Sequence, residues 1–93
     1  MHVVVEHTII DRERFLAADA AEIAQGGPPG VRGQQFFPDR DGSFAVCLWE
    51  TDSVDSLREY LDPATAGAAE NTYFEVDEDR AMGLPASAAA GAQ

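Results

Sequence analysis

His7 closes the apolar run Val3-Val4-Val5-Glu6-His7, and an imidazole titrates near enough to neutrality to serve as a general base or a metal ligand. Asn71 and Tyr73 stand two residues apart, so on a strand they share one face and offer an amide and a hydroxyl for orienting a substrate. His7, Tyr73 and Asn71 are the candidate catalytic corner. The plain alternative for His7 is a polar residue at a strand terminus. Trp49, Phe36, Phe37 and Cys47 are the candidate ligand-binding residues, their rings suited to a flat or apolar molecule. Packing in the core or at a subunit interface is the competing role for those rings. Cys47 shares a strand face with Ala45 and Trp49, where a small buried thiol is ordinary. As a nucleophile it needs an electropositive setting, and the chain supplies little positive charge. With two histidines and one cysteine there is no C-x-x-C or H-x-x-x-H spacing, which argues against a zinc site of nitrogen and sulfur. A hard divalent cation on His7, Glu6 and Glu75, with Glu50 and Asp77 nearby in pattern, is the metal alternative. The acidic turn Asp77-Glu78-Asp79, followed by Arg80, reads first as solvated surface and second as a cation site.

Composition narrows the partners. Six arginines, no lysine and seventeen acids give a formal charge of −11 over 93 residues. That balance disfavours nucleic acid and anionic membrane surfaces, both of which need a cationic face. Without lysine there is no Schiff-base catalysis and no phosphate-binding lysine of the Walker type. No nucleotide or flavin motif is present, so a divalent metal is the cofactor left to consider. Met1 leads into His-Val-Val-Val and then Glu6 instead of a basic region with a long apolar core, a pattern expected of a chain without a signal peptide. The single cysteine fits a reducing compartment, and the expectation is a cytoplasmic protein.

The elements that must hold these residues follow from periodicity. His2 to Thr8 is β-branched and apolar on both alternating faces, the mark of a covered strand. Asp11 or Thr8 then caps a helix with Leu16, Ala20 and Ile23 in one stripe and Phe15 beside it. Gly26-Gly27-Pro28-Pro29-Gly30 ends that helix. Val31 to Pro38 reads as an edge strand, and Asp39-Arg40-Asp41-Gly42 as a hairpin turn. Ser43 to Glu50 is again apolar on both faces. Asp52 or Ser53 caps a second helix carrying Val54, Leu57 and Leu61, which Asp62-Pro63 is expected to end. Asn71 to Asp77 alternates as a half-exposed strand with Thr72, Phe74 and Val76 on one face. Residues 1–84 form one domain, and 85–93 an Ala-rich tail expected to fray.

Strand, helix, strand, strand, helix, strand is the split βαβ repeat of an α+β ferredoxin-like βαββαβ fold: an antiparallel four-stranded sheet with two helices on one face. Strands one and three are central in that plan, and they are the two doubly apolar strands here. A chain this short buries only about 60–65% of its unfolded surface. The sheet face away from the helices stays bare in a monomer, which points to a homodimer of the dimeric α/β barrel type joined through that face.

From Phe44 onward, Ala45-Val46-Cys47-Leu48-Trp49-Glu50, Ser53-Val54-Asp55-Ser56-Leu57-Arg58, Ala66-Gly67 and Tyr73-Phe74-Glu75-Val76 are similar in order and spacing to small actinobacterial ferredoxin-like proteins. Val3-Val4-Val5-Glu6-His7-Thr8 resembles their first strand, so the similarity spans about residues 2–77. That group includes a nickel-responsive, nickel-binding protein and many members of unknown function. It carries histidines around an Ala-Gly pair after the second helix. Tyr60 to Asn71 has none here, so nickel binding does not carry over. More distantly the layout resembles cofactor-free monooxygenases, muconolactone-type isomerases and small polyketide cyclases, an analogy of fold alone. The resulting expectation is a small homodimeric module that binds a small molecule or divalent cation. One alternative is a cofactor-independent enzyme acting on an aromatic or polyketide-like substrate. The other is a structural or interaction domain.

Overall fold

In the computed structural model, which describes residues 1–86, the backbone hydrogen bonds build one sheet from four antiparallel strands. They are β1 (His2–Ile9), β2 (Arg32–Pro38), β3 (Phe44–Glu50) and β4 (Ala69–Glu75), in the order β2-β3-β1-β4. The two strands that are apolar on both sides, β1 and β3, hold the centre, as their composition requires. Three helices, α1 (Arg12–Ala17), α2 (Ala20–Gln25) and α3 (Val54–Thr65), complete an α+β architecture consistent with the ferredoxin-like plan. Among the described residues no helix is long and apolar enough to cross a membrane.

The first helical connection differs from its expected single helix. Asp19 turns its side chain back to accept from the Glu22 amide, and Ala18 is extended at φ −70°, ψ 138°. An aspartate in mid-segment therefore acts as an N-cap and starts a second helix, each piece having six residues. The stripe of Leu16, Ala20 and Ile23 is broken with it. Phe15 is the buried residue of α1, and Leu16 is half exposed. The connection thus uses two helices where one was expected, giving three among the described residues.

α3 also departs from expectation. It runs through Pro63 to Thr65 instead of stopping at Asp62. Proline removes one intrahelical donor near the helix end. In the last turn Thr65 donates its hydroxyl to the Leu61 carbonyl at 2.9 Å. Ser53, not Asp52, is the cap, accepting from the Ser56 amide at 3.0 Å. Strand β4 begins two residues earlier than the alternation suggests, at Ala69.

Period-two alternation sorts the side chains. Val3, Val5, Ala45, Cys47 and Trp49 face the helices and are buried, and Leu57 and Leu61 of α3 pack on that layer. A second cluster joins Phe15 to Ala45, Ala68 and Ala69. The β2–β3 turn is closed by Asp39, which accepts from the Gly42 and Ser43 amides at 2.8 and 3.0 Å, with Gly42 at φ 73°. The Ser43 hydroxyl, donating to the same carboxylate, helps hold it below the ordinary range. On β2, Gly33 sits at an irregularity in the ladder, where α2 comes so close that a Cβ would lie 2.6 Å from that of Ala24. Glycine is what lets that helix touch the strand.

The other sheet face carries Val4, Val46 and Leu48 with Phe37, Phe44 and Phe74, the three phenylalanines exposed. Past β4 the chain is tied down by His2, whose Nδ1 lies 2.7 Å from Glu78 Oε2. It then reaches β2, where the Gln34 amide donates to the Ala86 carbonyl at 3.4 Å. The tail expected to fray from Pro85 onward lies, beyond residue 86, outside the described residues.

Candidate functional site: a hollow beside a cysteine, histidine and asparagine

The register of the sheet creates the site. His7 on β1 stands directly opposite Asn71 on β4, and Cys47 on β3 is the diagonal neighbour of His7, facing Val5. All three point to the helix side. The His7 and Asn71 side chains meet at 2.6 Å between Nδ1 and Oδ1, and His7 Nε2 lies 3.1 Å from Cys47 Sγ. Trp49, two residues on from Cys47 and so on the same face, donates its indole N–H to that sulfur at 3.0 Å.

The proton positions follow from donors and acceptors. Asn71 Nδ2 donates to Thr65 Oγ1 at 2.8 Å and to Asp62 Oδ1 at 3.2 Å. Its Oδ1 is therefore the acceptor for His7, whose Nδ1 carries the proton, and Nε2 is left to accept from the Cys47 thiol. Burial favours the neutral forms of both groups. Desolvation lowers the His7 pKa from its ordinary 6.5, opposed by the hydrogen bond to Asn71. Desolvation pushes the Cys47 thiol up to about 11, with the Trp49 N–H pulling the other way. The resting pair at neutral pH is thus a neutral imidazole and a thiol.

Beside this pair lies a hollow of about 460 Å³ between the sheet and α1–α2. His7, Cys47, Trp49 and Phe36 form part of its floor, and Phe15, Leu16 and Ile23 part of its roof. Ala18 between the two helices, Ala20, Ala21 and Ala24 of α2, and Ala64 and Ala68 at the α3 edge line it with side chains too small to fill the gap. Arg14 is a cation in the wall. Gln34 also lines it, and its buried side-chain oxygen has no hydrogen-bond partner among the described residues. The volume falls within the roughly 300–1,000 Å³ usual for small-molecule sites, and the lining is mostly apolar with a few polar groups.

The candidate residues divide accordingly. His7, Cys47, Trp49 and Phe36 line the hollow. Asn71 stands behind His7 and holds it, without lining the space itself. Tyr73 points to the same side of the sheet, but its hydroxyl donates to Asp62 at 2.6 Å and Arg58 lies 5.0 Å over its ring. Burial and the Asp62 carboxylate raise its pKa, so it buttresses the corner and does not line the hollow. Phe37 pairs with Val46 on the opposite sheet face, away from the hollow. The set His7, Glu6 and Glu75 is not brought together. Glu6 is on the other face, accepting from Thr72 at 3.3 Å, and Glu75 stands opposite Val3, two rows from His7. Among the described residues no group of three or more His, Cys, Asp or Glu side chains is placed to hold a metal ion. Thr65, Asp62, Arg14 and Gln34 belong to the site or its support without having stood out in the sequence. Thr65 and Asp62 lie on the segment around Pro63, where the helix was expected to stop.

No protein-family model, no curated protein and no solved structure matches the chain.

Proposed function

We propose that this protein is a small-molecule-binding module whose ligand is a flat, mostly apolar compound held between the sheet and α1–α2. The observation that carries this reading is the 460 Å³ hollow, walled by aromatic and small apolar side chains with His7 and Cys47 at its floor. An organic ligand is favoured over a cation because the carboxylates and His7 are dispersed over two faces and several rows of the sheet. Trp49 is the one tryptophan of the chain and lines the hollow, so its fluorescence reports occupancy directly. Titration with naphthol- or flavone-sized compounds should change that emission and raise the melting temperature by mass action. The half-buried Ala20 offers the matching control: Ala20→Leu fills the space and should abolish both responses. A panel that neither shifts the melting temperature nor alters the emission of the wild type would remove the reading.

A cofactor-independent enzyme is the second reading, favoured by one observation: His7 is held by Asn71 with an acceptor nitrogen on the side of the hollow. Unchanged turnover of a candidate aromatic substrate by His7→Ala would eliminate it.

The exposed Phe37, Phe44 and Phe74 support a homodimer through the outer sheet face. Phe37→Asp with Phe74→Asp should then halve the mass measured by light scattering while leaving the far-UV spectrum intact. The same mass for both proteins would refute it. A cytoplasmic setting is consistent with the free thiol of Cys47.

A further inference from the structure

We infer that Cys47 is a nucleophile that captures electron-poor alkenes, such as α,β-unsaturated ketones, with His7 as its base and Asn71 as the positioning residue. The inference rests on the hollow being a ligand site and adds the chemical class of what enters it. Three independent contacts carry it. The Cys47 thiol meets an acceptor nitrogen at 3.1 Å, that imidazole is fixed from behind at 2.6 Å, and the sulfur receives the Trp49 N–H at 3.0 Å. This is the order of roles that activates a cysteine in unrelated Cys-His-Asn sites, recognised by geometry and not by sequence position. Here both reacting groups open onto a space large enough for a reactant.

The thiol is not pre-ionised, because burial raises its pKa and lowers that of His7. Proton transfer must therefore accompany attack. The S–H proton moves to His7 Nε2 as sulfur bonds to the β-carbon of the alkene, and the π pair shifts toward the carbonyl as an enolate. His7 then returns that proton to the α-carbon. The product is a thioether with every atom of both reactants, and nothing is oxidised or reduced overall. Conjugate addition suits the site because it needs no leaving group and no water. The Trp49 N–H stabilises the charge developing on sulfur. Around the pair, the titratable and charged groups are Asp62 and Tyr73 behind Asn71, and Arg14 across the hollow on α1.

Benzylideneacetone, a flat unsaturated ketone, and its saturated counterpart benzylacetone make the test. Benzylacetone should quench Trp49 reversibly, and benzylideneacetone should add once, at Cys47, by intact mass and peptide mapping. The wild-type rate should be level between about pH 7 and 9, because His7 is already an unprotonated base there. A thiol reacting unaided would speed up about tenfold per pH unit until near its own pKa. His7→Ala should lose about a hundredfold in rate at pH 7 and acquire that tenfold slope. Should that variant not fold, the wild-type pH profile decides alone. Binding of benzylacetone without any adduct would overturn the nucleophile and leave the ligand site standing. A tenfold-per-unit slope in the wild type would overturn the role of His7. Binding of neither compound would overturn both the inference and the site it rests on.

Discussion

One sheet face supports two unlike halves. Over β1 and β4, α3 runs twelve residues and buries Leu57, Leu61 and Thr65, with Leu57 fully enclosed and Leu61 and Thr65 forming one edge of the hollow. Over β2 and β3, the polypeptide spends a similar length on two six-residue helices, and no residue of α2 is buried. The helices themselves differ. α3 places leucines against the sheet, whereas α1 and α2 present alanines and an internal cap. Filling stabilises, and leaving space allows binding. The protein separates the two, with the stability in one half and the adaptable wall in the other. The two halves are fastened by Tyr60, whose hydroxyl donates to the Ile23 carbonyl at 2.7 Å.

Leu57→Ala should test the filled half most severely. Removing a fully buried leucine costs about 2–5 kcal/mol, read as a drop in the urea midpoint, and in a domain this size it threatens the fold. Gly33→Ala should cost about 1–3 kcal/mol by overpacking, since the new methyl meets the Ala24 Cβ and Cα at 2.6 and 3.0 Å. Its mark should be lost hydrogen-exchange protection in α2 and retained protection in α3. Asp19→Ala removes the α2 cap, for about 1 kcal/mol, again with exchange confined to the hollow half. Equal loosening of α3 in either variant would erase the distinction between the two halves.

The pH response should be gentler. His7 is held neutral in the fold with its pKa below the ordinary 6.5, so below that pH the unfolded chain binds the proton more readily. Stability from this group is complete above about pH 6.5 and declines as the pH falls through the lower folded-state value. His7→Gln should flatten that part of a urea-midpoint profile. Ala20→Leu should have the smallest effect on stability, under about 0.5 kcal/mol by analogy with substitutions outside a packed core, while removing ligand binding. A large loss of stability would mean that the hollow is already tightly closed.

Much of this was legible in the residues themselves. The doubly apolar β1 and β3 announce their central places, Gly42 marks a turn where the chain forms one, and the pair Asp52-Ser53 marks a cap that Ser53 supplies. These are local rules of alternation and hydrogen bonding. The break at Ala18-Asp19 was less legible, because Asp19 fits the polar face of a continuous helix as well as it fits a cap. The passage of α3 through Pro63 was not legible either, because a proline near a helix end forfeits one backbone hydrogen bond, and whether the helix goes on depends on the packing of the buried Thr65 beyond it. Phe37 and Glu6 fell on the face away from His7 because alternation and register allow no choice of side.

The sequence by itself determined the strands, their central pair, the acidic composition and the short list of reactive groups, since each depends on residue type or short-range spacing. Only the tertiary structure decided that His7 meets Asn71 sixty-four positions away and Cys47 forty positions away. That meeting is set by how four strands slide against one another, and a slip of one residue would turn His7 to the opposite face. The hollow has the same origin. An alanine is small in any sequence, but several of them leave a space only where the fold gathers them along one wall.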